Sequence, residues 1–324
     1  MDKYLITGYA GFVGYHFLNY LNTITKEKIL IIGIDINEPY DFSEWDFNNL
    51  EIIHKSINLI DYKSVSEIIC EYKPNYILHL AALSSVGKSW EEPSLCFSNN
   101  TGIFLNICEA VRNVNLKCRI LSVGSSEEYG FVKEEQLPLK EDMIINPANP
   151  YAVTKMAQES LAYVYSLGFG IDIVCTRSFN HIGPRQRDNF VVASFAKQVA
   201  KAVVEKKETF VMTTGNLNVI RDFLDVRDVV KAYYLLLKNG KTGEVYNVCS
   251  GEGVNLEVII NELSTISKIS ISTNLNPDLV RPNDIPTIIG CNNKLKRDTN
   301  WERDYSLQNT IKDTLEYWKK KFSK

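Results

Sequence analysis

Apolar positions in the first half of the chain fall into short β-rich runs set between segments with helical spacing. The runs at 4–7, 29–34, 52–55, 76–80 and 119–123 have the length and composition of strands. Helical periodicity is clearest over 12–21, 95–111 and 151–167, the last ending at Gly168 in the position of a glycine cap. A sixth strand is expected at 171–176. Strands separated by helix-length connections predict an α/β fold with a parallel, doubly wound sheet. After about Asn180 the pattern changes to shorter elements interrupted by loops rich in Gly, Asn and Pro, at 183–189, 215–218, 251–255 and 274–286. Such loops suit a smaller lobe closing over a ligand. The expected division is therefore 1–180 for the main domain, with strand and helix returns from about 210–250, and 181–324 mainly for the second lobe.

Composition narrows the function classes. The 324 residues are 45% hydrophobic and 23% charged with a formal net charge of −3, so no basic face points to nucleic acid or an anionic membrane. Seven scattered cysteines without a C-x-x-C pair argue against metal or redox chemistry and for small buried residues in a reducing compartment. Met1 leads through Asp2 and Lys3 directly into the first apolar run, without a signal-like region. No segment approaches the roughly 20 apolar residues needed to cross a bilayer. A cytoplasmic protein is expected. Neither an internal repeat nor a low-complexity tract is visible.

Gly8-Tyr9-Ala10-Gly11-Phe12-Val13-Gly14 follows the first strand and opens the first helix. In that context the glycines allow a tight turn, approach of backbone to a pyrophosphate, and close packing of helix on strand, with helix-start N–H groups facing the anion. The turn, with Phe12 and Val13, is the expected dinucleotide site of a Rossmann fold; the alternative is an ordinary glycine-rich βα turn. Asp35 closes the second strand about 20 residues beyond the last glycine, where a carboxylate accepts from ribose hydroxyls and repels a 2′-phosphate. The cofactor expected is NAD(H) or NADP(H), with Asp35 favouring NADH, unless that aspartate merely caps a turn.

Tyr151 and Lys155 stand four residues apart at the start of a helix, after Asn149-Pro150, and so share one face. A phenol of ordinary pKa about 10 becomes a usable acid/base when an ammonium stabilises its phenolate. Alone, this spacing is common and often an exposed pair. The turn Gly124-Ser125-Ser126-Glu127-Glu128-Tyr129-Gly130 follows the fifth strand, where the fold delivers residues to the cleft; Ser126 and Glu128 read as turn polarity. His79 reads as a hydrogen-bonded strand-end histidine without proton chemistry.

With G-x-x-G-x-x-G, His79-Leu80-Ala81-Ala82, the Ser125 turn and Tyr151-x-x-x-Lys155, the chain resembles the extended short-chain dehydrogenases/reductases that act on nucleotide sugars. The resemblance covers about residues 3–318. It implies a Ser125–Tyr151–Lys155 triad and a cofactor pocket including Leu80, Ala81, Ala82, Asn58 and Leu59. Asn58 stands where relatives carry an aspartate facing adenine. Segments 81–86, 124–130, 179–184, 221–228 and 246–251 are most similar to the GDP-4-dehydro-6-deoxy-D-mannose reductases, and then to the GDP-mannose 4,6-dehydratases. That likeness implies a nucleotide-diphosphate sugar substrate held by Ser85, Ser126, Asn180, Phe190, Val191, Arg221 and Arg281, with Arg185, absent from the usual G-P-G-Q, beside the sugar. Arginines suit a diphosphate because the guanidinium pairs with two oxygens at once. Glu127 occupies the position of the dehydratase base. The implied reaction is reduction of a C4 keto sugar; the rivals are 4,6-dehydration, C4 epimerisation and a catalytically silent dinucleotide-binding module. A homodimer through helices 95–111 and 151–167 is implied as well.

Overall fold

A computed structural model describes residues 1–37, 47–280 and 285–323. Along the chain, β1 (Lys3–Thr7), α1 (Phe12–Ile24), β2 (Ile29–Asp35), β3 (Leu50–Ser56), α2 (Tyr62–Tyr72) and β4 (Tyr76–His79) lead to α3 (Val86–Glu91) and α4 (Pro93–Val114). Then come β5 (Arg119–Ser125), α5 (Pro150–Phe169) and β6 (Asp172–Ser178). The second half comprises β7 (Asn180–Ile182), α6 (Val191–Val204), β8 (Thr209–Thr214), β9 (Ile220–Asp225), α7 (Val226–Asn239) and β10 (Val245–Val248). It ends with β11 (Gly253–Asn255), α8 (Leu256–Ser267), β12 (Ser270–Leu275), β13 (Thr287–Ile288), α9 (Asn293–Thr299) and α10 (Leu307–Ser323).

Seven strands form one parallel sheet in the order β10-β6-β5-β4-β1-β2-β3, a Rossmann-type doubly wound arrangement. The chain reverses its winding between β1 and β4, so Thr7, Asp35, His79, Ser125 and Ser178 all end strands at the edge where such folds bind ligands. One apolar core, including Tyr4, Phe17, Tyr233 and Trp301, lies on the α1 and α7 side of the sheet. The other, including Ile32, Ile69, Phe104 and Ile173, lies under α2, α4 and α5. A third core joins α6, α8 and α10 in the second lobe, whose strand β9 pairs with β7, β11 and β13.

The six anticipated strands and three anticipated helices all form, but one detail differs. Gly168 lies inside α5 rather than capping it; the left-handed cap is Gly170, at φ +67°, whose N–H reaches back to Ser166 and Tyr165 carbonyls. The seventh strand, β10, returns from the second half, within the stretch expected to do so, and pairs with β6. Among the described residues no helix is long and apolar enough to cross a membrane.

Candidate active site

The glycine turn is shaped for a dinucleotide. A Cβ on Gly14 would lie 2.2 Å from the Tyr9 carbonyl oxygen, and one on Gly8, at φ +69°, would lie 3.0 Å from Ala81 N. Gly11 caps α1 without a side-chain acceptor, so the N–H groups of Phe12 and Val13 have no partner within the helix and face the sheet edge. The cradle has space for backbone to meet a pyrophosphate and no side chain to obstruct it, which fits a nicotinamide dinucleotide.

Thr7, which sequence reasoning passed over, organises the opposite wall. Its hydroxyl oxygen accepts from Leu80 and Ala81 N–H, both at 3.2 Å, and bonds His79 Nδ1 at 2.8 Å, locking the Leu80–Ala82 turn against Gly8. His79 is only half satisfied, contrary to expectation: its Nε2 is buried without a partner, and burial lowers its pKa to about 3. Asp35 accepts from Asn37 N–H at 3.1 Å, so it caps a turn while standing at the strand end. Asn58 does likewise for Ile60 N–H, at 3.1 Å, and neighbouring Leu59 is buried.

Ser125, Tyr151 and Lys155 converge. Asn149 caps α5 by accepting from Ala152 N–H, Pro150 fits the first helical position, and Tyr151 beside it and Lys155 one turn later are both buried. Burial, and then the neighbouring Glu128, push the Tyr151 phenol above its ordinary pKa, while a hydrogen bond with Ser125 pulls it down. The Lys155 ammonium lies 5.9 Å from the Tyr151 ring centroid and donates to Val123 O at 2.7 Å and Gln158 Oε1 at 3.2 Å. Burial lowers its pKa to about 8. Glu127 joins this group through Asn149, whose Nδ2 donates to Glu127 Oε2 at 2.8 Å.

Ser126 and Glu128 depart from the polarity expected of a turn: both are buried, Glu128 completely, in the short helical turn after β5. For Glu128 the sequence held one signal, since Ser three residues before Glu is the spacing of a capping box, which draws the glutamate back toward the backbone of Ser125. Asn149 had a signal too, since Asn before Pro at a helix start is a cap with a suitable first residue.

On the second lobe, Asn180 on β7 donates to Asp222 O at 3.2 Å, and Arg221 on β9 donates to Ile220 O at 3.0 Å and Pro286 O at 3.3 Å. Asp222, unrecognised in the sequence, is fully buried and accepts from Ser250 N and Oγ, Gly251 N and Gly290 N, tying two loops beneath Arg221. Phe190 and Val191 start α6 half exposed, and Ser85 caps α3 by accepting from Lys88 N–H. Arg185 lies with its guanidinium 4.0 Å from the Tyr15 ring centroid, against α1. Arg281 falls outside the described residues. Among the described residues no group of His, Cys, Asp and Glu could hold a metal.

Comparison with known proteins agrees with this fold. The family model for GDP-mannose 4,6 dehydratase matches residues 5–314. The GDP-6-deoxy-D-mannose reductase of Pseudomonas aeruginosa is 31% identical over 98% of this chain and 97% of its own. The GDP-6-deoxy-D-talose 4-dehydrogenase of Aggregatibacter actinomycetemcomitans is 30% identical over 90% of each. Among solved structures, RMD from Pseudomonas aeruginosa complexed with NADPH superposes with a TM-score of 0.84 at 29% identity, covering 99% of this chain and 98% of that one. The UDP-glucose 4-epimerase of Thermotoga maritima with UDP-glucose gives 0.85 at 26%, covering 99% of each. By glycine cradle, strand order and family match, the chain belongs to the GDP-mannose 4,6-dehydratase family, a branch of the nicotinamide-dependent extended short-chain dehydrogenases/reductases.

Proposed function

We propose that the protein reduces the C4 keto group of GDP-4-dehydro-6-deoxy-D-mannose to give GDP-D-rhamnose. The observation that carries this reading is the convergence of Ser125, Tyr151 and Lys155 beside the glycine cradle, in a chain whose relatives include a GDP-6-deoxy-D-mannose reductase. The cofactor would be held by Gly8, Gly11, Phe12, Val13, Gly14, Asp35, Asn58, Leu59, Leu80, Ala81, Ala82, Tyr151 and Lys155. When bound, the reduced nicotinamide supplies the hydride.

The chain's own residues do the rest. Ser125 donates a hydrogen bond to the C4 oxygen, and Tyr151 hands its phenolic proton to the same oxygen as charge develops there. The buried phenol, held above its ordinary pKa, is proton-loaded at neutral pH. A protonated phenol is the form that donates in the reductive direction. Lys155 then stabilises the phenolate that the transfer leaves behind. Asn180, Arg221 and Arg281 are proposed to hold the diphosphate, with Arg185, Ser85, Ser126, Phe190 and Val191 lining the nucleotide-sugar path. Their binding energy positions the reacting atoms.

A 4,6-dehydratase is the second reading, favoured by one observation: Glu127 is anchored by Asn149 next to Tyr151, as a base would be. Asp35 at the end of β2 supports NADH over NADPH, although one relative is seen with NADPH. Mixing purified protein with GDP-4-dehydro-6-deoxy-D-mannose and either reduced cofactor, and in parallel with GDP-mannose, while following nicotinamide fluorescence and the sugar products, separates these readings. Stoichiometric oxidation of cofactor is the expected result. Conversion of GDP-mannose with no net loss of cofactor would overturn it in favour of the dehydratase.

The homodimer belongs to the same reading. Adjacent helices α4 and α5 leave Leu95, Phe97, Tyr163, Val164, Leu167 and Phe169 exposed, an apolar face suited to a second copy packing as a four-helix bundle.

A further inference from the structure

The turn after β5 holds a carboxyl group that the chemistry above does not use. Glu128 is fully buried; its Oε1 accepts the Ser125 backbone N–H at 2.7 Å, and its Oε2 has no hydrogen-bond partner in the structure. Gly124 makes room for it, since a Cβ there would lie 2.6 Å from Oε1. In return, the Ser125 hydroxyl oxygen accepts the Glu127 N–H at 3.2 Å. The two bonds form a reciprocal capping box around the short helical turn that carries Ser125, Ser126 and Glu127.

The box has a consequence for Ser125. A hydroxyl presents either its hydrogen or a lone pair, depending on rotation about Cβ–Oγ. With an N–H of the turn on one lone pair and the Tyr151 hydroxyl bonded beside it, the directions open to the Ser125 hydrogen are narrowed, and a C4 oxygen in the cleft needs a donor. We propose that Glu128 is a positioning residue for the reaction, closing the box that presents the Ser125 hydroxyl as a hydrogen-bond donor to the substrate oxygen. This rests on the role given to Ser125 above.

Burial, reinforced by Glu159, holds Glu128 well above the usual carboxylate range, while the Ser125 N–H, Arg177 and Lys155 pull the other way. What the box needs from Glu128 is one acceptor for the Ser125 N–H. Glutamine supplies the same acceptor in the same shape. Leucine fills the same space with none, and a residue serving only as filler would tolerate it.

The test compares Glu128→Leu, Glu128→Gln, Ser125→Ala and the Glu128→Leu/Ser125→Ala double variant, assayed with GDP-4-dehydro-6-deoxy-D-mannose and whichever of NADH and NADPH the wild type oxidises faster, with a thermal melt of each. Glu128→Leu is expected to lower kcat about tenfold or more with KM little changed, as befits a contact made in the transition state. Glu128→Gln should retain wild-type turnover, and the double variant should be no slower than Ser125→Ala, because the two act as one unit. Wild-type turnover in Glu128→Leu, or losses that multiply in the double variant, would overturn the proposal while leaving the Ser125 assignment intact. Full activity of Ser125→Ala would overturn that assignment and the proposal with it. Should Glu128→Leu fail to melt cooperatively, Glu128→Met, an unbranched residue that adapts to its cavity, takes its place with the same expectations.

Discussion

Asn149 serves two masters: its Oδ1 accepts the Ala152 N–H at 2.8 Å, capping α5, and its Nδ2 donates to Glu127 Oε2, also at 2.8 Å. One amide thereby fixes the start of the helix carrying Tyr151 and Lys155 relative to the turn carrying Ser125 and Glu127. The amide thus ties the two halves of the candidate active site together.

Removing that amide should therefore separate stability from alignment. Asn149→Ala loses a helix cap, at a cost of about 1 kcal/mol. Asn149→Ser keeps a cap acceptor but is too short to reach Glu127, so its melting temperature should stay near wild type while turnover falls with Asn149→Ala. Thermal melts beside a reductase assay check both; equal turnover in Asn149→Ser and wild type would show that the tie to Glu127 is dispensable.

Tyr151→Phe keeps the buried ring and removes only the proton carrier. Turnover should fall roughly 10²- to 10⁴-fold, the range for loss of a general acid. Affinity for the reduced cofactor, measured by fluorescence titration, should stay close to wild type.

Two glycine-to-alanine changes should have opposite signs. In Gly14→Ala the new methyl meets the Tyr9 carbonyl at 2.2 Å, so α1 must shift from β1; dinucleotide binding and stability both fall, the latter by more than about 2 kcal/mol. At Gly168, inside α5, nothing lies within 4 Å of the new methyl, and alanine should stabilise by roughly 0.5–1 kcal/mol. Urea midpoints of the two variants decide the matter.

Stability should decline with acid through three histidines that burial holds neutral. Burial lowers His16 and His181 to about 4 and His79 to about 3, each from 6.5. All three stay neutral in the folded protein while the unfolded chain takes up their protons below about pH 6.5, so these sites cost nothing above that pH. Each then costs about 1.4 kcal/mol per pH unit as pH falls toward its folded value. A urea midpoint series from pH 7.5 to 4.5 should show this slope, and His16→Asn should lessen it by about one third.

The exposed apolar face of α4 and α5 predicts its own test. Leu167→Glu, with Leu167 69% exposed, should leave the melting temperature of the folded chain little changed and convert a dimer to a monomer in sedimentation velocity. An unchanged sedimentation coefficient would place the contact elsewhere.

The sequence by itself determined the glycine cradle, the shared face of Tyr151 and Lys155, the strands of the parallel sheet and the family, because each is written in spacings of a few residues. A turn at positive φ, a helical i, i+4 pair or an apolar run depends on local geometry alone. Only the tertiary structure decided the rest. Gly168 and Gly170 are equal candidates for a cap until the chain leaves the helix toward β6. The Ser125-x-x-Glu128 spacing marks a capping pair, but only the fold buries Glu128 completely, and Asn149 meets Glu127 across 22 positions. Thr7 meets His79 across 72, and Arg185 turns to Tyr15 on α1 although its loop leads into the second lobe. Burial and pairing of single polar groups are set by contacts between distant segments, and no window along the chain contains both partners.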